Sequence, residues 1–276
     1  MPTLSPAPSS ALDLGLALRD GWTAFRRAPW TLSGFMLLVS ALAIGLLLLE
    51  RALTSASGAL PSLAPPALLL CRLACLLLVL WGTVGLVRGA WIALEGERPR
   101  FGALLRWDGA ALARVALASL LLGLLLTLLS LPLTWLLAIG VEQLLEFDFP
   151  LHGPPLLRAV NPSPGALLLV GGSALALLGL MTYAQVSQHF LVQLAALQGS
   201  GPWRTLHRGQ TAVDRRCWTV LALLGVESLL LLAGILAMVV GLFVAVPLVA
   251  CVSTAAYRQL FGAAHAAAAA LPGPAA

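Results

Sequence analysis

The sequence predicts an all-α fold, a polytopic membrane bundle of six transmembrane helices with basic amphipathic helices at the membrane surface. The first observation is composition: 60% of the 276 residues are hydrophobic, only 10% are charged, and the mean hydropathy is +0.96. A soluble domain has about 25% charged residues. The second is that several apolar runs exceed the roughly 20 residues needed to cross a hydrocarbon core of about 30 Å. The third is that arginines gather at alternate ends of these runs.

The apolar runs give six predicted spans in chain order. The first three runs end at Glu50, Glu95 and Glu142. The last two spans share about 40 nearly uncharged residues between 218 and 257, which is twice the length that a single helix needs. The predicted spans cover residues 31–49, 73–94, 115–141, 166–194, 218–237 and 239–257.

These spans form one predicted membrane domain, residues 11–262, between two tails. Residues 1–10 are expected to be a flexible tail, and residues 263–276 are an Ala/Pro-rich tail. The N-terminus lacks a basic start followed by a short apolar core and a small-residue cleavage site, so no signal peptide is expected.

The arginines predict the orientation of the spans. If the N-terminus is cytoplasmic, twelve arginines lie on the cytoplasmic side and only Arg51, Arg72 and Arg158 lie on the other. The positive-inside rule therefore predicts that both termini are cytoplasmic. All of the basic residues are arginine, in a chain rich in Ala, Leu and Gly. This usage is typical of a GC-rich bacterial genome, so we expect a multi-pass protein of the bacterial cytoplasmic membrane.

A basic decapeptide occurs twice, each time directly before a span. It reads GWTAFRRAPW at residues 21–30 and GQTAVDRRCW at residues 209–218. In the first copy Leu14, Leu18, Trp22 and Phe25 share one helical face, which is typical of a helix lying in the membrane interface. The candidate contacts to lipid headgroups are Arg26, Arg27, Arg204, Arg208 and Arg215. Orientation and anchoring alone are the simpler interpretation of these arginines.

A second pair of similar segments favours an internal repeat. ALEGERP at residues 93–99 resembles ALQGSGP at residues 196–202. Three helical hairpins, each with a basic lead-in, would explain both pairs. The middle lead-in, FGALLRWDGAALAR, is degenerate, and chance similarity in an Ala- and Leu-rich chain remains the alternative.

Ionisable residues inside spans are costly, and each one is a candidate functional residue. Arg88 and Glu227 lie within the second and fifth spans, and the fourth span carries a polar stripe that includes Gln185 and His189. These four residues form the predicted buried polar cluster. One interpretation is a structural ion pair between Arg88 and Glu227. The other is a proton or substrate site with Glu227 as the carrier and His189 titrating near neutrality.

No enzyme motif or metal-binding spacing is present in the sequence. HExxH, GxSxG and GxxxxGK[ST] are all absent, so the expectation is a non-enzymatic protein without a cofactor. The four cysteines, Cys71, Cys75, Cys217 and Cys251, lack CxxC spacing and are expected to be packing residues. The net charge of +5 belongs to the membrane surface, so no nucleic-acid partner is expected.

Several segments together resemble a known group of proteins. GWTAFRRAPW, ALQGSGPWRTLHRG before the fifth span and GLFVAVPLVACVSTAAYRQLFG in the last hairpin resemble a family of uncharacterised bacterial six-helix membrane proteins. They are also similar to the membrane domain of some glycerophosphodiester phosphodiesterases. Gly241, Pro247, Tyr257 and Arg258 are the most specific marks. The resemblance implies a six-helix fold and no established reaction.

Three functions follow as hypotheses. The first is a non-enzymatic membrane protein that organises lipid or partner proteins at the cytoplasmic membrane. The second is a small-solute or lipid transporter that uses the buried Arg/Glu/His cluster. The third is a membrane enzyme acting on lipid. The expected partners are membrane lipids, with a membrane-protein partner or a second copy of the chain as further candidates.

Overall fold

The protein is described from a computed structural model. The structure describes residues 12–56, 64–148, 156–159, 163–197, 201–214, 216–237 and 240–270. In chain order the elements are α1 (Leu14–Arg27), α2 (Pro29–Ala56), α3 (Ala64–Leu94), α4 (Phe101–Leu105), α5 (Gly109–Leu144), β1 (Leu145–Asp148), β2 (Leu156–Ala159), α6 (Pro164–Ser187), α7 (Leu191–Leu197), α8 (Pro202–Asp214), α9 (Cys217–Leu236) and α10 (Leu242–Ala270).

Six segments within these ranges are long and apolar enough to cross a membrane, and the predicted six-helix, all-α fold is confirmed. They are Pro29–Ser55, Pro65–Leu94, Gly109–Leu144, Pro164–Leu197, Cys217–Leu236 and Leu242–Gly262. The first four are longer than the predicted spans because the helices continue beyond the ends of the predicted apolar runs. The strands β1 and β2 pair antiparallel. They were not predicted, since four-residue strands are too short to show a clear alternation.

The chain forms two compact units, residues 1–118 with 189–276 and residues 119–188. In the first unit α10 is central and contacts α1, α2, α3 and α9. Seven successive residues of α10, from Cys251 to Tyr257, are all buried. A helix that is buried on every side forms the core of its bundle.

The first helix, α1, packs directly on this central helix. Its buried residues are Ala17, Gly21, Ala24 and Phe25. A Cβ atom on Gly21 would lie 2.6 Å from the Cα of Val252, so the two backbones are in contact. The face of α1 that was predicted to contact lipid is therefore only partly exposed: Phe25 is buried in the protein, whereas Trp22 is 49% exposed. The prediction was based on the spacing of large apolar residues, whereas the face of α1 that packs on α10 consists mainly of small residues.

Asp13 adds a bond between the same two helices. Its backbone N–H donates to Oε1 of Gln259 at 3.0 Å, across 246 positions of sequence.

Helices α2 and α3 form a tight hairpin in the same unit. Gly82, Gly85 and Gly89 of α3 allow neighbouring elements to approach closely. A Cβ atom on Gly85 would lie 2.6 Å from Cζ of Phe35 and 2.9 Å from the carbonyl oxygen of Leu104.

The second unit contains the rest of α5, the strand pair and α6. Helices α5 and α6 approach closely where Gly140 faces Val170, since a Cβ atom on this glycine would lie 2.7 Å from Cγ2 of the valine. Ser163 caps α6 by accepting a hydrogen bond from the backbone N–H of Ala166 at 3.2 Å, and Pro164 occupies the first turn, as both residue types favour.

The order of elements follows the pattern expected for three hairpins. A short helix precedes each pair of spans: α1 precedes α2 and α3, α4 precedes α5 and α6, and α8 precedes α9 and α10. The origin of this pattern by duplication stays a prediction.

Candidate functional site

Arginine side chains bind the carboxyl end of α3 in the first unit. The Arg27 guanidinium donates to the carbonyl of Ala93, and Arg258 donates to the carbonyl of Leu94 at 2.8 Å. Arg258 also pairs with Asp20 at 3.3 Å. The last carbonyls of a helix have no partner within the helix and carry the negative end of its dipole. These arginines therefore join α1, α3 and α10 at one helix end.

Two further arginines, Arg88 and Arg114, also donate to backbone carbonyl groups. Arg88 pairs with Asp108 at 3.0 Å and donates to the carbonyl of Arg106 at 3.0 Å. Arg114 donates to the carbonyl of Ala195, at the end of α7, at 3.1 Å. Much of the basic charge on this unit is thus used to hold helix ends together.

Asp108 stands at the start of α5 and is the acidic member of this group. Its Oδ1 accepts the backbone N–H of Ala111 at 3.0 Å, the bond of a helix N-cap. This bond, together with the positive charges of Arg88, Arg114 and Arg106, holds the pKa of Asp108 below its ordinary value of 3.8, against the desolvation that raises it. The carboxylate is therefore stabilised in its charged form.

The two copies of the decapeptide share features of local structure among their described residues. We call the segments at residues 21–30 and 209–218 the first and second elbows. Each joins a lead-in helix to a span, α1 to α2 and α8 to α9. Gly21 and Gly209 are both buried. The threonine hydroxyl donates to the carbonyl four residues earlier in each copy, at 2.7 Å for Thr23 and 2.9 Å for Thr211.

Exposed tryptophans and arginines lie on both lead-in helices and elbows. Trp30 is 88% exposed and Trp218 is 82% exposed, and each is the second residue of its span. The other exposed residues of this kind are Arg19, Trp22, Arg26, Arg27, Trp203, Arg204 and Arg208. Among the candidate headgroup contacts, Arg27 and Arg208 each also interact with another group of the protein, and Arg215 lies outside the described residues.

A buried ionisable pair lies inside the first unit. Nε2 of His189 is 3.4 Å from Oε1 of Glu227, and the two side chains are only 10% and 7% exposed. Glu227 lies ten residues after the start of α9 and nine before its end. At a rise of about 1.5 Å per residue, the carboxyl group is at the middle of the span.

The histidine lies where the fourth span is interrupted. Helix α6 ends at Ser187 and α7 begins at Leu191, and the residues between them form a turn. One helical turn beyond His189, the buried Gln193 donates from Nε2 to Oγ of Ser253 on α10 at 3.0 Å. Phe190 stacks edge-on against the imidazole, with ring centroids 4.8 Å apart. Phe190 thus contacts the imidazole, and Gln193 links α7 to α10.

The predicted polar cluster is only partly assembled. The expected partner of Glu227 was Arg88, whereas the structure pairs Glu227 with His189 and Arg88 with Asp108. Gln185 belongs to the second unit and is exposed. Asp108 was missed because only charges deep within spans were considered, and its place directly before a predicted span is the signal that could have identified it.

No protein-family model, curated protein or solved structure matches the chain. The similarity to the membrane domain of glycerophosphodiester phosphodiesterases therefore stays a prediction, as does the absence of enzymatic activity. Within the part of the chain that the structure describes, no group of three or more His, Cys, Asp or Glu residues is arranged to hold a metal ion.

Proposed function

We propose that this chain is a non-enzymatic protein of a bacterial cytoplasmic membrane, with both termini cytoplasmic, that binds anionic phospholipid headgroups and thereby organises lipid or partner proteins. The observation that carries the proposal is the pair of elbows. Each presents an exposed tryptophan directly beside the start of a span, and exposed arginines lie on the first elbow and on both lead-in helices. Tryptophan favours the headgroup level, and arginine near an anionic leaflet gains about 1 kcal/mol per residue.

The exposed arginines Arg19, Arg26, Arg204 and Arg208 are the principal lipid contacts in this proposal. Arg27 contributes less because its guanidinium already binds the carbonyl of Ala93. Together with their lead-in helices, the two elbows give two basic surfaces in one unit, each able to retain an anionic lipid.

Energy transfer from tryptophan to labelled lipid tests this function in nanodiscs. We expect stronger transfer to dansyl-phosphatidylglycerol than to dansyl-phosphatidylcholine, and we expect the difference to shrink at high salt, which screens exposed charges. Replacing Arg19, Arg26, Arg204 and Arg208 with Gln should remove most of the difference. Arg51→Gln, at the other end of α2, is the matched control and should retain it. Equal transfer to both lipids in the wild-type protein would contradict the proposal.

Transport of a small solute or lipid is a second candidate, favoured by the interrupted fourth span. Irregular backbone at membrane depth is tolerated where protein or a cavity surrounds it, and transporters use such breaks to build binding sites. Vesicles containing a pH-sensitive dye test this candidate. Proton-linked flux that is present in the wild type and lost in Glu227→Gln would support transport, and no flux under any imposed gradient would count against it.

A further inference from the structure

We propose that His189 and Glu227 together form a proton-binding site at the middle of the membrane, one that exchanges its proton with bulk water while the protein stays folded. This site is separate from the elbows. It requires neither lipid binding nor transport to be correct, and its test does not depend on either.

At the position of Glu227, a permanently charged carboxylate without a partner is energetically costly. A charge at the centre of a span costs at least about 2.5 kcal/mol on insertion scales, and the side chain is 7% exposed. His189 is its partner within ion-pair distance among the described residues. One shared proton makes the pair neutral overall, whether the proton lies on the imidazole or on the carboxyl group.

The geometry of the pair is looser than that of a structural ion pair. Although the two atoms are 3.4 Å apart, neither His189 Nε2 nor Glu227 Oε1 makes a hydrogen bond to a described group. Buried ion pairs that stabilise a fold need close, well-aligned hydrogen bonds to offset desolvation, and unsatisfied buried polar atoms call for an explanation. A proton that moves on and off the pair provides one, because each protonation state has its own preferred alignment.

The position of His189 in the chain allows its side chain to change alignment between protonation states. His189 lies in the turn between α6 and α7 rather than inside a helix, so a shift of its side chain need not disrupt a regular helix. Gln193 and Ser253 extend the polar surroundings by one helical turn along α7.

The helices packed around the pair place few other charged groups beside it. Helix α7 has no charged residue, and α9 has no charged residue besides Glu227. Arg88 of α3 and Asp20 of α1 are each engaged in another ion pair, and His207 of α8 is exposed. The remaining titratable or charged groups on the surrounding helices are Arg19, Arg26 and Arg27 of α1, Cys71, Arg72 and Cys75 of α3, Arg204, Arg208 and Asp214 of α8, Cys217 of α9, and Cys251, Tyr257, Arg258 and His265 of α10. Arg114 of α5 donates to the carbonyl of Ala195 on α7.

Infrared difference spectroscopy on the full chain tests the site directly. The carbonyl stretch of a protonated carboxylic acid is followed over a pH series, and the band that is absent in Glu227→Gln is assigned to Glu227. We expect this band to appear and disappear reversibly with pH. In His189→Gln its midpoint should move by about one pH unit or more, the mark of coupled groups. Glu95→Gln and His207→Gln, both at exposed positions, are the matched controls and should leave band and midpoint unchanged.

Two results would overturn the proposal: no Glu227 acid band at any pH at which the protein is folded, or a midpoint unchanged by His189→Gln. A second measurement does not require a Glu227 variant. In the protein carrying His152→Gln, His207→Gln and His265→Gln, His189 is the remaining histidine, and its ring nitrogens report protonation by NMR. We expect the ring to change state with pH, and a ring fixed in one state across the folded range would also reject the site.

Discussion

Trp30 and Trp218 occupy equivalent places in the two elbows, each as the second residue of a span and each more than four-fifths exposed. Tryptophan at such a place marks the headgroup level. We therefore predict that fluorescence from variants retaining only Trp30 or only Trp218 is quenched more by shallow lipid probes than by deep ones. A variant retaining only Trp81, which lies thirteen residues before the end of α3, should show the opposite order. Stronger quenching of Trp30 than of Trp81 by the deep probes would contradict the assignment.

The His189–Glu227 pair predicts a specific energetic coupling. Contacting residues in a double-mutant cycle couple by about 0.5–3 kcal/mol, whereas distant ones add. We expect His189→Gln and Glu227→Gln to be non-additive in the free energy of unfolding in detergent. The control cycle combines Glu227→Gln with Arg88→Leu and should be additive, because Arg88 pairs with Asp108. Coupling in the control cycle alone would restore the pairing that the sequence suggested.

The contact between α1 and α10 predicts a sharp difference between two glycines of α1. Gly21→Ala places a Cβ atom 2.6 Å from the backbone of Val252, which cannot move aside cheaply, so we expect destabilisation of about 1–3 kcal/mol. Gly15→Ala is the control, because its Cβ atom would lie at an ordinary 3.4 Å from Asp13 and alanine favours a helix. Thermal unfolding of both variants measures the difference, and equal midpoints would refute the close packing.

The lowered pKa of Asp108 predicts how its contribution to stability depends on pH. Because the folded-state pKa lies below the ordinary 3.8, the stabilisation is fully present above pH 3.8 and is lost as the pH falls through the folded value. Asp108→Asn should therefore lower the unfolding midpoint near neutral pH and have progressively less effect below pH 3.8. Exposed Glu95, changed to Gln, is the control. A deficit in Asp108→Asn that does not shrink on acidification would show that the charge is not its cause.

Hydropathy was sufficient to predict the spans because each one consists of consecutive apolar residues. It did not predict which faces pack together. Ala17, Gly21 and Ala24 carry little hydrophobicity, yet they form the face of α1 that is buried in the protein. Their small-residue spacing is the signal that a search for close helix contacts would use.

The functional residues were found in the sequence more readily than their partners. His189 and Glu227 stood out because ionisable residues are rare in spans. Their pairing depends on the turn at the end of α6, which no periodicity predicted because the polar stripe of the fourth span keeps its helical spacing across it. Arg88 was paired with the wrong acid for a related reason: its side chain reaches Asp108 in the loop before α5, outside the spans in which partners were sought.

The bond between Asp13 and Gln259 has a consequence for how the protein is made. A ribosome must add more than two hundred residues after α1 before α10, the helix that α1 packs against, exists. During that interval the face of α1 that packs on α10 lacks this partner, and an amphipathic segment in that state can lie at the membrane surface. Assembly of the first unit is therefore a late event in biosynthesis, and a ribosome stalled before α10 should leave α1 open to protease.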